Sequence, residues 1–355
     1  MEPRPPDLGA AGFRIWRATL PGRSPDPYSR TPGFPHALAP GPARHPGPGS
    51  AENHRVGHPV QVTSSEKSVN ADHQRVELSH PDGSTSPLLL VPASNRDERR
   101  PAVLILPGIA VGARYYLPIA RALADAGIDV AITELRGQGE STHRIGRGGG
   151  AAGYHESAAE DIPLALDAMQ RELGDRRVVL LGHSMGAQIS VYHLARHDPR
   201  VVGMIAVAAQ SPFHRGFPTS FGRRLRFGSI VMPIVGAIAG HVPGQFFGAS
   251  GRVPADRIRD WAKLASTGSM QPARADLDYL DGLARVTVPV LAVVIADDPL
   301  APEGAARNLL AMLPSARTTL ELEPLALGHN TWARRPDEIV ARLVAWIDRE
   351  VATTA

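Results

Sequence analysis

The sequence predicts an α/β fold: a mostly parallel central sheet with helices on both faces and one inserted segment. Three observations predict it. Continuous apolar runs recur, as in Ala102-Val-Leu-Ile-Leu106, Val178-Val-Leu-Leu181 and Val201 to Ala209, the pattern of strands covered on both faces. Between these runs apolar residues return at helical spacing, so strand and helix alternate. The alternation lapses from residue 210 to about 285 and then resumes, which marks an insertion.

The first element is an antiparallel hairpin, Gln74 to Ser79 and Ser86 to Val91 around the turn Pro81-Asp82-Gly83. After the charged loop Arg96 to Arg100 come the strand Ala102 to Leu106 and the Gly-rich turn Pro107-Gly108-Ile109-Ala110-Val111-Gly112. Tyr116, Ile119, Ala120, Leu123 and Ala124 give a helix ended by Gly127, and Asp129 to Leu135 is the next strand. A Gly-rich loop leads to an amphipathic helix from Glu156 to Leu173. The strand Val178 to Leu181, its following helix and the strand Val201 to Ala209 complete the first half. Past the insertion, Pro289 to Ile295 and Thr318 to Leu322 are strands, and Pro302 to Leu313 and Pro336 to Val351 are helices. The closing helix carries Val340, Val344 and Ile347 on one side, which serves either a homo-oligomer contact or the core.

Four segments follow: a Pro/Gly-rich lead at 1–68, a core at 69–211, a cap insertion at 212–285 and a second core part at 286–355. Pro and Gly supply 21 of the first 60 residues, and a segment with so little to bury is expected to be disordered. The net charge of +3 resides there, since residues 1–60 hold 7 Arg and 4 acids and the remaining chain 31 of each sign. The core therefore lacks the basic footprint of a nucleic-acid-binding protein. The chain has no cysteine, so disulfides, thiolate metal sites and a cysteine nucleophile are excluded. No apolar run has the length of a spanning helix and no secretory h-region opens the chain, so a cytoplasmic protein without stable membrane insertion is expected.

The chemistry-bearing stretch is Gly182-His183-Ser184-Met185-Gly186, between the apolar run at 178 and residues of helical spacing, Ile189, Val191, Leu194 and Ala195. A serine at the apex of so tight a strand-to-helix turn has a strained backbone. Its neighbours two positions away lie where helix and strand nearly touch, so both are glycine. The helix that follows aims free N–H groups and its positive end at the serine, where an oxyanion would form. Ser184 is thus a candidate nucleophile, and a serine hydroxyl needs a base and an acid to orient that base. On this architecture the acid follows the strand after the insertion and the histidine follows the last strand. Asp297-Asp298 and Gly328-His329-Asn330 occupy those places. The plainer readings are a turn serine and a surface-loop histidine. His183 reads as a packing or supporting residue. His143, His155, His193, His197, His214 and His241 show no metal-ligand spacing.

With that order of Ser, Asp and His, residues 74–350 resemble an α/β-hydrolase-fold serine hydrolase. Within the superfamily the chain is most similar to predicted bacterial α/β hydrolases with a cap insertion, whose P-G-x-x-x-G stretch and cap tryptophan are echoed by Pro243-Gly244-Gln245-Phe246-Phe247-Gly248 and Trp261. The resemblance implies the α/β-hydrolase fold and a catalytic triad of Ser184, Asp298 and His329. Asp298 is favoured over Asp297 because Asp298 with Pro302 matches the D-x-x-x-P part of the family's motif, although Ala296 sits just before the pair and the motif's glycine is missing. It also implies an oxyanion hole from the N–H groups of Met185 and Ile109, with Pro107-Gly108 where the family often has His-Gly. The family's D-x-R-G-x-G-x-S loop appears here as Glu134-Leu-Arg-Gly-Gln-Gly-Glu-Ser141, with a structural role beneath the pocket.

The expected reaction is hydrolysis of carboxylic esters through an acyl-enzyme, with no cofactor and no metal. The span from Phe227 to Gly251 carries no charged residue, and its Ile, Val, Met and Phe side chains are expected either to face an apolar or lipid-like acyl group or to pack the cap on the core. Met232, Phe246 and Phe247 are the candidates from the cap. Tyr115 and Tyr116, just past the oxyanion turn, either line the pocket or pack the next helix. The partner is then a small hydrophobic ester. The alternatives are amide, thioester or carbon–carbon cleavage or acyl transfer by the same triad, and a non-hydrolytic small-molecule receptor.

Overall fold

A computed structural model describes residues 68–70, 73–146, 151–247, 251–269 and 271–352. The lead expected to be disordered at 1–68 lies, except for its last residue, outside the described residues.

Nine strands form one sheet in the order β1-β2-β3-β5-β4-β6-β7-β10-β11. The strands β1 (Ser68–Asn70), β2 (His73–Ser79) and β3 (Thr85–Val91) form an antiparallel edge. β3 pairs antiparallel with β5 (Val130–Thr133), and from there β4 (Ala102–Leu106), β6 (Val178–His183) and β7 (Val201–Val207) run parallel. Beyond a two-stranded ladder in the insertion, β8 (His241–Pro243) with β9 (Arg252–Pro254), the sheet closes with the parallel β10 (Val290–Ile295) and β11 (Thr318–Glu323). The mostly parallel sheet with helices on both faces is the predicted architecture.

Strand periodicity divides the core in two. Leu104, Leu106 and Leu180 face one side, and Val103, Ile105, Val179 and Leu181 the other, all fully buried. The first side is covered by α2 (Tyr154–Glu156), a π turn at Ser157–Asp161, α3 (Ile162–Leu173) and α4 (Met185–Leu194). The second is covered by α1 (Leu117–Asp125) and α10 (Val340–Glu350), whose Leu343, Trp346 and Ile347 are buried there. Each such side chain contributes about 1.5–3 kcal/mol relative to exposure. This is why the strands read as unbroken apolar runs.

β5 is shorter than the expected Asp129 to Leu135, and the side chains of both flanking acids serve loops. The Asp129 carboxylate accepts the Ala93 N–H at 2.9 Å and pairs with Arg96 at 2.7 Å. Glu134 accepts the N–H groups of Ala113 and Glu140.

The inserted segment contains α5 (Thr219–Ala239), α6 (Ala255–Thr267) and α7 (Tyr279–Ala284). Pro233 and Gly236 both lie inside α5. Pro233 removes one helical N–H. Leu225, Ser229, Met232 and Gly236 on the buried side span the proline and hold both halves, with a Cβ built on Gly236 only 3.3 Å from Ala255 Cβ. Arg257 of α6 ties the insertion to the core: fully buried, it donates to the Arg136 carbonyl at 2.9 Å and to Ser157 Oγ at 3.4 Å. Asp260 accepts the Tyr154 N–H at 2.9 Å. Two further helices follow the insertion, α8 (Glu303–Leu310) after β10 and the short α9 (Gly328–Thr331) after β11.

Candidate active site

Ser184 joins β6 to α4 with φ 51° and ψ −116°, a conformation that costs an L-residue about 1–3 kcal/mol. The flanking glycines make it possible. A Cβ on Gly182 would run into the backbone of Ala187, and one on Gly186 would lie 2.6 Å from the Pro107 carbonyl oxygen. The turn thus presses the start of α4 against the end of β4.

Ser184, His329 and Asp298 form one hydrogen-bonded chain. His329 Nε2 lies 3.0 Å from Ser184 Oγ, and His329 Nδ1 lies 2.7 Å from Asp298 Oδ2. The carboxylate only accepts, so Nδ1 carries the proton and Nε2 is free to take the serine's. Asp298 is buried at the end of β10, and its other oxygen accepts the Leu300 N–H at 2.9 Å. Asp297 is exposed and accepts the Gly328 N–H at 2.9 Å, which anchors the turn into α9. Gly328, at φ +61°, makes that turn and presents His329. The two adjacent aspartates therefore divide the work, one holding the ring and one holding the loop beneath it.

A second chain runs behind the first. His183 Nε2 lies 2.9 Å from the His329 carbonyl oxygen and must donate to it, so His183 Nδ1 accepts from the Tyr116 hydroxyl at 2.7 Å. The Tyr116 oxygen in turn accepts the Gly108 N–H at 2.9 Å. Burial, together with the charge His329 can carry, holds the His183 pKa well below its usual value. It thus stays neutral in the tautomer the chain requires. Trp332 packs edge-on against His183, and both rings are buried.

The turn after β4 presents its N–H groups selectively. Tyr116 takes the Gly108 N–H and Gln138 Oε1 takes that of Ala110 at 2.9 Å, while Gln138 Nε2 donates to the Gly108 carbonyl at 3.1 Å. Ile109 lies between them, and its N–H enters none of the described hydrogen bonds. Met185 opens α4, where the first N–H groups have no intrahelical partner. Glu134 and Gln138, both in the Glu134–Ser141 loop, hold this turn and its approach to α1. Burial raises the Glu134 pKa to about 7.

The residues expected around a substrate are placed less uniformly. Tyr115 is half-buried, with the Arg334 guanidinium 5.6 Å over its ring. Tyr116 has no exposed surface and its hydroxyl is spent on Gly108 and His183, so of the two roles expected of it, lining the pocket and packing, it takes the second. Met232 is buried on the inner side of α5, and Phe246 and Phe247 pack against the same apolar cluster, which also holds the Met185 side chain. Phe247 meets Trp261 edge-on at 5.9 Å. The charge-free span as a whole does not turn inward: Phe227, Ile230, Ile234 and Ile238 are exposed. Of the supporting residues, sequence reasoning singled out His183 but missed Gln138 and Trp332. Gln138 sits at the centre of the Gly137-Gln138-Gly139 turn, the one signal that could have pointed to it.

Comparison with known proteins agrees with this architecture. A family model described as serine aminopeptidase, S33, matches residues 97–242, which include Ser184 and the turn after β4. A non-heme haloperoxidase of Rhodococcus erythropolis is 27% identical over 245 residues, covering 64% of this chain and 84% of that protein. Among solved structures, DcsB in complex with a substrate analogue superposes with a TM-score of 0.58 at 17% identity, over 79% of this chain and 100% of that one. Est1E of Butyrivibrio proteoclasticus, with ferulic acid bound, gives 0.52 at 13% identity over 78% and 99%. The Pyrococcus furiosus esterase Pf2001 gives 0.52 at 15% identity over 79% and 91%. The chain is an α/β-hydrolase-fold protein.

Proposed function

We propose that the protein is a serine esterase acting on carboxylic esters with apolar acyl groups. The observation that carries this is the unbroken chain Ser184 Oγ, His329 and Asp298, at 3.0 and 2.7 Å. In this reading His329 Nε2 takes the Ser184 proton as Oγ attacks the ester carbonyl. The oxyanion so formed is held by the N–H groups of Ile109 and Met185. His329 then passes the proton to the leaving alcohol, and an acyl-Ser184 ester remains. Water repeats the sequence: His329 takes its proton, the hydroxide attacks the acyl carbon, and Ser184 recovers its proton as the acid departs. Asp298 holds the imidazole in its tautomer and stabilises its charged form. The reaction needs no cofactor or metal.

Support for an apolar acyl group comes from composition: residues 227–251 of the insertion carry no charged side chain, and Met232, Phe246 and Phe247 lie on the same apolar side of the sheet as Met185. The insertion then acts as a cap. A series of p-nitrophenyl esters from acetate to laurate tests the reading with wild type and Ser184→Ala. Turnover that rises with acyl length and vanishes in Ser184→Ala is expected, and equal rates for the two proteins would sink it. A fluorophosphonate probe should label Ser184 in the folded protein; failure to label it would favour a receptor without hydrolysis. The haloperoxidase relative motivates a second reading, halide-dependent peroxide chemistry at the same serine. A bromide and peroxide assay beside the ester series separates the two.

A further inference from the structure

Helix α5 has two apolar faces. Leu225, Met232 and Gly236 face the body of the protein. On the opposite side Phe227, Ile230, Val231, Ile234 and Ile238 form a second stripe, spaced three or four residues apart, and all but Val231 are more than half exposed. Arg223 and Arg224 lie one turn before Phe227 on that same outward side, at the helix's N-terminal end, and are exposed. Arg215, Arg226 and Arg252 add exposed positive charge from the insertion, and no Asp or Glu occurs between Asp198 and Asp256. An apolar ridge bordered by arginines and free of acids over so long a stretch is uncommon on a soluble surface.

We propose that this outward face of α5 docks the protein on an anionic phospholipid bilayer. The Ile and Phe side chains enter the boundary between headgroups and acyl chains, while the arginines meet headgroup phosphates. The helix lies in the surface and does not cross it, as no helix among the described residues is long and apolar enough to span. Charge favours this occupant over a second copy of the chain: residues 199–255 around the stripe carry arginines and no acid, so a second copy of the same face offers nothing for those arginines to pair with, whereas an anionic surface does. The proposal goes beyond the ester reading and does not depend on it, since binding is read without turnover.

The test sediments the full-length protein with vesicles of phosphatidylcholine alone and of phosphatidylcholine with about one third phosphatidylglycerol. Binding at least tenfold stronger to the anionic vesicles, and largely lost near 0.5 M NaCl, is expected. Arg223→Gln with Arg224→Gln should weaken it about fivefold per arginine. Ile230→Gln with Ile234→Gln should reduce it at least tenfold. Both variants should keep the wild-type melting temperature and far-UV circular dichroism, which shows that they fold. No preference for anionic vesicles, or binding that the folded variants retain, overturns the proposal. So does a dimer by light scattering that dissociates in Ile230→Gln with Ile234→Gln while vesicles stay unbound, which would assign the face to a second copy.

Discussion

His183 donates its Nε2 proton to the carbonyl oxygen of His329 at 2.9 Å, so the residue preceding the serine holds the backbone of the histidine that faces it. The elbow and the loop after β11 thus share a bond that bypasses the hydroxyl. The same imidazole accepts from Tyr116, and Tyr116 fixes Gly108.

Tyr116→Phe removes one oxygen and leaves the Gly108 N–H and His183 Nδ1 buried without partners. A stability loss of about 1–3 kcal/mol in urea denaturation is expected. If the chain also positions the reacting groups, kcat should fall roughly tenfold to a hundredfold with KM little changed. An unchanged kcat beside the lost stability would confine Tyr116 to a folding role.

The neighbouring aspartates should separate cleanly. Asp298→Asn takes the acceptor from His329 Nδ1, and a loss on the order of 10⁴ in kcat is expected. Asp297→Asn keeps an oxygen for the Gly328 N–H and should cost less than about tenfold. Comparable losses in the two, by ester turnover, would contradict the division of labour.

Glu134 makes stability depend on pH. Its pKa rises from the usual 4.5 to about 7 on folding because of burial. Between those values the folded protein holds a proton that the unfolded chain has released. Stability therefore falls as pH rises through that window, by an amount on the order of 3 kcal/mol, and the full cost is present above about 7. Glu134→Gln should flatten this part of a melting-temperature profile from about pH 5 to 8. A Glu134→Gln profile as steep as wild type would place the dependence elsewhere.

Gly186→Ala places a methyl group against the carbonyl oxygens of Leu106 and Pro107. These belong to backbone that cannot swing aside as a long side chain can, so destabilisation above about 4 kcal/mol or failure to fold is expected. Gly83→Ala has open space around it and a φ of +76°, so only backbone strain of about 1–2 kcal/mol should appear in the same denaturation assay.

Much of this was legible in the sequence for a definite reason. Residues such as Leu104 and Val179 are buried on whichever face they point to, which leaves an unbroken apolar run that names the strand. Once strands are counted, Ser184, the pair Asp297-Asp298 and His329 fall at strand ends by order, and only the D-x-x-x-P match to Pro302 favours Asp298 within the pair. The second chain was not legible, because Tyr116 and His183 are 67 residues apart and nothing local marks a tyrosine whose hydroxyl is spent inside. The orientation of α5 was hidden for another reason. Spacing reveals an apolar stripe, but a helix with two of them does not say which faces the protein, and only packing against α6 decides that Met232 goes in and Ile234 stays out.

The contact at Gly186 also acts as a gauge. The two N–H groups proposed to hold the oxyanion come from residues 109 and 185, on separate segments of chain. How near they stand depends on how closely α4 can settle on the end of β4. That clearance is set by an atom the glycine lacks. A side chain of any size there would widen the spacing between the donors while leaving every catalytic side chain in the sequence untouched.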